Sequence, residues 1–141
     1  MTGKQKRNGF NGPLQTQFQD FMSDWVFATQ MSAQDVLDTY FTDDFSAEID
    51  GHILSKAQFQ SRIDRMRQDA DVHEQDFVEM MEDGDRLFSM HYTRGRSRVT
   101  DQPFETRAIA FFLYEGNKMK KGYLNSATLG DPRDADFASR S

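Results

Sequence analysis

The stretch Arg107-Ala108-Ile109-Ala110-Phe111-Phe112-Leu113-Tyr114 decides the architecture of this chain. It is apolar at both odd and even positions after Arg107, although the mean hydropathy of the chain is only −0.77. Because a strand points alternate side chains to opposite faces of its sheet, both faces of this strand must be covered. One face has small Ala108 and Ala110 beside bulky Phe112. The other face has only large apolar side chains, namely Ile109, Phe111 and Leu113. The pattern predicts a sheet that is hollow on one face and apolar on the other.

Length and composition indicate one domain without a disulfide framework. The chain has 141 residues, thirteen Phe and no Cys, and its formal net charge is −6. This acidic balance disfavours a nucleic-acid-binding surface, which needs basic side chains that displace counterions. No apolar run approaches the roughly 18 residues that a membrane span requires. We therefore expect a cytoplasmic protein that binds neither nucleic acid nor membranes.

Helical periodicity dominates the first half of the chain. Gly12-Pro13 predicts a helix start, because proline is favoured in the first turn. The apolar stripe of this helix follows at Leu14, Phe18, Phe21, Met22, Trp25 and Thr29. Capping-box patterns beginning at Ser32 and Ser55 predict a second and a third helix. The inward residues of these two helices are Val36, Leu37, Tyr40 and Phe41, and then Phe59, Ile63 and Met66. Between them, the alternation over residues 45–50 predicts a short strand that ends in the Asp50-Gly51 turn.

After about residue 73 the apolar period changes from 3.6 to 2. This change predicts strands near residues 74–82, 86–98, 104–115 and 118–129. Three helices followed by a meander indicate an α+β fold, cone-shaped, with three N-terminal helices packed on a curved, mainly antiparallel sheet. The domain spans residues 13–129. The ends, 1–12 and 130–141, have little to bury, and we expect both to be flexible.

The turns predict which side chains share the hollow face. A two-residue turn at Gly116-Asn117 places Ala110 opposite Tyr123, and a five-residue loop over 99–103 places Tyr92 opposite Ala110. A change of one residue in that loop would exchange Tyr92 with His91. A tight turn at Gly84 places Phe77, Glu79 and Met81 on the same hollow face. The predicted ligand-binding residues are Trp25, Phe88, Met90, Tyr92, Ala108, Ala110, Phe112, Tyr123 and Asn125. Such an aromatic face with few polar groups suits a flat apolar ligand.

The opposite face of the predicted sheet lacks a cover. Three helices cover only one side, so the other side needs a second subunit, and a homodimer burying about 800 Å² per partner would suffice. The residues of this predicted interface are Ile109, Phe111, Leu113 and Leu124. The alternative is that the C-terminal tail folds over this side.

The order of several short motifs resembles a known family. The motifs are Asp43-Asp44-Phe45, Leu54-Ser55-Lys56-Ala57, Glu82-Asp83-Gly84-Asp85-Arg86, the run from Phe112 to Met119, and Tyr123-Leu124-Asn125-Ser126. Their spacing over residues 14–129 resembles that of the nuclear transport factor 2-like superfamily, which includes SnoaL-like polyketide cyclases and ketosteroid isomerases. This resemblance implies a cystatin-like α+β barrel, a deep apolar pocket in the cone and a dimer.

The resemblance also suggests where catalytic groups would lie. By the resemblance, Trp25 stands at the position of the isomerases' tyrosine donor, Ala110 at that of their protonated carboxyl group and Ile49 at that of their base. Trp25 has an indole N–H but no acidic hydroxyl, and Ala110 and Ile49 have no polar group, so the isomerase roles are not filled at these positions. Asp50 follows Ile49 by one residue, and His52 lies just past the turn. Asp50 and His52 are the candidate catalytic residues, because a His-Asp pair can move a proton near neutral pH.

The remaining chemistry leaves two main function classes. The spacing of the three His residues matches no metal-ligand pattern, and no phosphate-binding glycine loop is present, so we expect neither a metal nor a cofactor. The first class is a SnoaL-like protein that binds a small apolar or aromatic molecule in its cone pocket as a homodimer. The alternative is an isomerase, cyclase or dehydratase that abstracts a proton next to a carbonyl group. A third reading is a protein-interaction module that uses the outer sheet face.

Overall fold

A computed structural model describes residues 4–28 and 30–129 of the chain. Its helices are α1 (Pro13–Val26), α2 (Ala33–Tyr40) and α3 (Lys56–Asp69). Its strands are β1 (Lys4–Lys6), β2 (Phe41–Ile49), β3 (His52–Ser55), β4 (Ala70–Asp83), β5 (Arg86–Ser97), β6 (Pro103–Glu115) and β7 (Lys118–Thr128). Thr29 and the predicted tail over 130–141 lie outside the described residues.

All seven strands belong to one sheet, in the order β1-β4-β5-β6-β7-β2-β3. The neighbours β1 and β4 are parallel, as are β2 and β7, and the other four pairs are antiparallel. The predicted α+β fold with three helices is therefore confirmed, on a mixed sheet. No helix within the described part of the chain is long and apolar enough to span a membrane.

The predicted helix starts agree with the structure. Ser32 Oγ accepts a hydrogen bond from the Asp35 N–H at 3.1 Å, and Ser55 Oγ accepts one from the Gln58 N–H at 3.2 Å. The Gln58 side chain in turn accepts from the Ser55 N–H at 2.9 Å, which completes a capping box. These caps satisfy backbone donors that have no partner inside the helix.

A short strand, β1, lies within the segment 1–12 that we expect to be flexible. Strand β1 pairs with β4, with Gln5 opposite Gln75. The Gln5 Nε2 group donates to Gln75 Oε1 at 3.0 Å and to the Gln19 carbonyl oxygen at 2.9 Å. Phe10 packs against the core. Side-chain amides stabilise this short strand, so apolar alternation could not reveal it.

A β-bulge changes the face that β7 presents. The pair Glu115 and Lys118 forms as predicted, but the register shifts between Leu113 and Tyr114. Ala110 consequently lies opposite Leu124 rather than Tyr123. One extra residue reverses the alternation of a strand relative to its neighbour. The prediction that Tyr123 faces the same side as Ala110 is therefore wrong.

The loop between β5 and β6 also exchanges the faces to which the side chains of β5 were predicted to point. Arg96 pairs with Pro103, so residues 97–102 have no β5–β6 partner, and His91 lies opposite Ala108. His91, and not Tyr92, therefore shares the hollow face. A further shift between Phe77 and Glu79 buries Phe77 as predicted but leaves Glu79 and Met81 exposed.

The core is aromatic, which accounts for much of the phenylalanine content. The Phe18 ring of α1 lies 5.1 Å from the Phe112 ring of β6, centre to centre. The Phe41 ring lies 4.0 Å from Phe45 and 5.3 Å from Phe59, and joins β2 to α3. Large buried rings of this kind dominate the apolar area that folding removes from water.

Candidate functional site

The two faces of the sheet differ in what covers them. We call the side that carries the Ala108, Ala110 and Phe112 side chains the concave face, and the side that carries Ile109, Phe111 and Leu113 the convex face. By strand register, the concave face also includes Phe77, Ser89, His91, Leu124 and Ser126. The convex face also includes Phe88, Met90, Tyr92, Tyr123 and Asn125. The helices α1 and α3 lie over the concave face.

A cavity of about 480 Å³ lies between these helices and the concave face. Its helix side is formed by two similar apolar stripes, Phe18, Met22 and Trp25 of α1 and Phe59, Ile63 and Met66 of α3. Each stripe repeats with steps of four and three residues, which places its members on one side of a helix. Trp25 Nε1 donates to the Met22 sulfur atom at 3.2 Å, which holds the indole against the cavity.

His91 is the buried polar residue of the cavity floor. Its side chain is 3% exposed, and its Nδ1 lies 3.0 Å from Ser89 Oγ. The rings of Phe77 and Phe18 lie 5.3 Å and 5.8 Å from the imidazole ring. Burial lowers the pKa of His91 to about 4, because the charged imidazolium loses its hydration. The imidazole is therefore neutral at pH 7.

Two arginines at the cavity edge hold the ends of helices. The Arg67 guanidinium donates to the carbonyl oxygens of Trp25 and Met31, each at 2.7 Å. Arg98 Nη1 donates to the carbonyl oxygens of Arg67 at 2.7 Å and Ala70 at 2.9 Å. These contacts satisfy carbonyl groups at the C-terminal ends of α1 and α3 and, at Met31, in the connection between α1 and α2.

The predicted catalytic pair is not assembled in the cavity. Asp50 adopts a left-handed conformation with φ of 49° in the turn between β2 and β3. Its carboxylate accepts from the Ser126 N–H at 2.9 Å and from the Ser126 hydroxyl at 3.0 Å. His52 is exposed, and neither residue belongs to the cavity lining. Over residues 4–28 and 30–129, no group of three or more His, Asp or Glu side chains is placed to hold a metal ion.

The predicted ligand-binding residues divide between the two faces. Trp25, Ala108 and Phe112 lie in the cavity lining, and Ala110 is fully buried on the concave face. The other five, Phe88, Met90, Tyr92, Tyr123 and Asn125, lie on the convex face, and this corrects their predicted position. Leu124, predicted for the outer interface, lines the cavity instead.

Sequence reasoning missed Ser126 as a cavity residue and gave His91 only as the alternative to Tyr92, for an identifiable reason. Both errors come from strand parity, which one added residue reverses. Gly122 was the available signal for β7, because a glycine inside a strand often marks a bulge or a close approach. A Cβ at Gly122 would lie 2.6 Å from Phe112 Cε1, so the glycine makes room for that ring.

Comparison with known proteins supports the fold. No protein-family model matches the sequence. No curated protein shows a significant match either. Among solved structures, a SnoaL-like polyketide cyclase from Agrobacterium tumefaciens matches with a TM-score of 0.67 and 12% identity, over 92% of this chain and 99% of that one. A proposed isomerase from Rhodopseudomonas palustris matches with a TM-score of 0.70 and 14% identity, over 82% and 90% of the two chains.

A third neighbour carries a ligand. It is a protein with a ketosteroid isomerase-like fold from Catenulispora acidiphila, solved with trimethylamine, with a TM-score of 0.63 and 14% identity over 77% of this chain and 82% of that one. At such identities the likeness concerns the fold. The chain has the ketosteroid isomerase-like α+β fold of these solved structures.

Proposed function

We propose that the chain binds a small, flat apolar or aromatic molecule in the cavity beneath α1 and α3. The observation that carries this proposal is the cavity itself, whose volume of about 480 Å³ lies in the range of small-molecule sites. Most of its lining residues are aromatic or aliphatic, and the polar ones at the floor and edge include His91, Asp71 and three arginines. This combination is typical of sites that bind an apolar body and orient it with few hydrogen bonds.

Binding is better supported than proton abstraction by the groups in the lining. Asp71 is the carboxylate among the described lining residues, and its Oδ1 lies 3.7 Å from Arg98 Nη2. His91, with a pKa of about 4, is a weak base at neutral pH. Asp50 and His52, the candidate bases, lie outside the lining. A binding role requires none of these groups to accept a proton.

Trp25 provides a direct test of ligand binding. It is the single tryptophan of the chain and lines the cavity, so an aromatic ligand should quench its fluorescence. We expect 2-acetylnaphthalene to produce saturable quenching. Ala108→Leu adds a side chain to the cavity wall and should abolish the quenching. Ala127→Leu makes the same change on the convex face, where it should leave the quenching intact.

The outcomes of this titration separate the possibilities. Quenching that persists unchanged in Ala108→Leu would place the probe elsewhere on the protein and contradict the proposed site. Absence of saturable quenching in the unmodified protein would contradict the binding function for aromatic ligands. Circular dichroism of each variant shows whether the fold is retained, so that loss of binding is not mistaken for unfolding.

We propose further that the chain forms a homodimer through the convex face. Ile109 is 40% exposed and Tyr123 is 39% exposed, although both lie near the middle of the sheet. The Tyr123 ring lies tilted beside Phe111 with ring centres 6.3 Å apart, and the apolar surface continues to Phe88 on the neighbouring strand. An apolar surface in the centre of a sheet favours burial against another surface. A second copy would satisfy this with an isologous contact.

Light scattering tests the dimer with a matched pair of variants. Ile109→Glu places a charge at the centre of the convex face and should convert the dimer to a monomer. Val99→Glu places the same charge on a residue of the β5–β6 loop that is 73% exposed and should leave the dimer intact. A monomeric mass for the unmodified protein at micromolar concentration would contradict the proposal.

A further inference from the structure

The floor of the cavity contains a buried polar pair with a defined geometry. Ser89 and His91 are two residues apart on β5, so both side chains point to the concave face. They lie opposite Ala110 and Ala108 of β6. These alanines have only methyl groups, so no large side chain of β6 stands between the imidazole and the cavity.

The hydroxyl proton of Ser89 determines the tautomer of His91. Ser89 is 0% exposed, so water does not reach its hydroxyl group. Within the described residues, its hydrogen-bond partner is His91 Nδ1 at 3.0 Å. If Nδ1 carried the proton, the serine hydroxyl would be a buried donor without an acceptor, which is unfavourable. Ser89 Oγ therefore donates to Nδ1, and the imidazole proton is on Nε2.

The Nε2–H group is then available to the cavity. Among residues 4–28 and 30–129, Nε2 has no hydrogen-bond partner, and His91 belongs to the cavity lining. Nδ1 is turned towards Ser89 while the His91 side chain lines the cavity, so Nε2 is the ring nitrogen left to face the cavity. The rings of Phe77 and Phe18 hold the imidazole in this orientation.

We propose that Ser89 fixes His91 as the Nε2–H tautomer, so that the cavity selects apolar ligands that carry a hydrogen-bond acceptor such as a carbonyl oxygen. This inference rests on the proposed function, because it names the class of ligand for the same cavity. The neutral imidazole donates one hydrogen bond and accepts none from the ligand. A ligand that presents only a donor at this point, or no polar atom, leaves Nε2–H unpaired and binds more weakly.

Nuclear magnetic resonance tests the tautomer without any ligand. Long-range ¹H–¹⁵N spectra distinguish Nε2–H, Nδ1–H and imidazolium forms of histidine. The chain has three His residues, and the variants His52→Gln and His73→Gln assign the two exposed ones. We expect the remaining signal to be the neutral Nε2–H form at pH 7. An Nδ1–H or imidazolium pattern for His91 would overturn the proposal.

A matched pair of probes tests the ligand class. The probes are 2-acetylnaphthalene and 2-isopropenylnaphthalene, which has a methylene group in place of the carbonyl oxygen and nearly the same shape. We expect the ketone to bind about five- to tenfold more tightly, which is the effect of one buried hydrogen bond. His91→Phe keeps an aromatic ring at this position but removes the donor, so the ratio of the two dissociation constants should fall to about one. His73→Phe changes an exposed histidine and should leave the ratio unchanged.

Each result of the probe experiment has one meaning. Equal binding of both probes to the unmodified protein contradicts the acceptor preference but leaves the proposed binding function standing. A preference that persists in folded His91→Phe assigns the donor to another group and also contradicts the proposal. Failure of both probes to bind contradicts the proposed function and, with it, the ligand class. The tautomer is measured separately and does not depend on either probe.

Discussion

Phe111 and Phe112 are neighbours on one strand, yet they have opposite surroundings. Phe112 is 1% exposed and packs against Phe18 of α1. Phe111 is half-buried, and the ring nearest to it is Tyr123 of the same sheet. The concave face is thus completed by helices of its own chain, whereas no other part of residues 4–28 and 30–129 covers the convex face. Phe112 therefore stabilises the fold from the concave face, whereas Phe111 on the convex face is accessible to a second surface.

The largest effect on stability is expected when the rings of Phe112 and Phe111 are removed one at a time and the two losses are compared. Phe112→Ala removes a fully buried ring and should lower the free energy of unfolding by about 3–5 kcal/mol, because the cavity it leaves cannot close completely. Phe111→Ala should cost the monomer only about 1–2 kcal/mol, because its ring is partly exposed to water. Urea titrations at low protein concentration measure both, since dimerisation would add concentration-dependent stability. Equal losses would show that the convex face is as closely packed as the concave face.

The same comparison explains what sequence could predict. The alternation of β6 lies within eight consecutive residues, so Ala108, Ala110 and Phe112 could be assigned to one face without knowledge of any other strand. The helix caps at Ser32 and Ser55 depend on residues three apart and were predicted for the same reason. Local patterns of this kind determine local structure.

Assignment of β5 and β7 failed because their faces depend on other strands. Six residues, 97–102, rather than the predicted five are unpaired between β5 and β6, so His91 takes the face predicted for Tyr92. The bulge in β7 near Leu113 adds one residue to that strand, so Leu124 takes the face predicted for Tyr123. Short strand β1 was missed because backbone pairing and amide contacts stabilise it rather than an apolar pattern. The cavity was predicted in outline, but its polar floor depended on registers that no local pattern fixes.

Acid titration provides the second test, at the buried histidine of the concave face. The imidazole has an ordinary pKa of 6.5 in the unfolded chain and about 4 in the folded chain. Between these values only the unfolded state gains a proton, so the free energy of unfolding falls as the pH falls. The loss should reach about 2 kcal/mol by pH 5 and should not occur above about pH 7.

The variant His91→Phe isolates this contribution. It removes the titrating group, so its stability should decline less than that of the unmodified protein between pH 6.5 and pH 5. The measurement is the difference between two urea titrations repeated at each pH. Parallel pH profiles for the two proteins would mean that His91 is accessible to water when folded, and would contradict its burial in the cavity floor.

A third and smaller effect is expected where β7 approaches Phe112. Gly122→Ala would place a methyl group 2.6 Å from Phe112 Cε1, and the ring cannot move freely because Phe18 packs on it. Overpacking of this kind costs about 1–3 kcal/mol. The neighbouring Lys121→Ala changes an exposed residue on the other side of the strand and should alter stability by about 0.5 kcal/mol or less. A neutral Gly122→Ala would mean that the bulge can shift to relieve the contact.

The smallest effect on stability is expected at Asp50, in the turn between β2 and β3. Asp50→Ala removes the two hydrogen bonds to Ser126 and places alanine in a left-handed conformation, so it should cost about 1 kcal/mol. Asp50→Asn retains an acceptor and a residue type that tolerates this conformation, and should cost less than half as much. Because Asp50 lies outside the cavity lining, both variants should bind 2-acetylnaphthalene as the unmodified protein does. A large loss of probe binding in Asp50→Asn, with the fold intact, would instead connect this carboxylate to the cavity and restore it as a candidate for chemistry there.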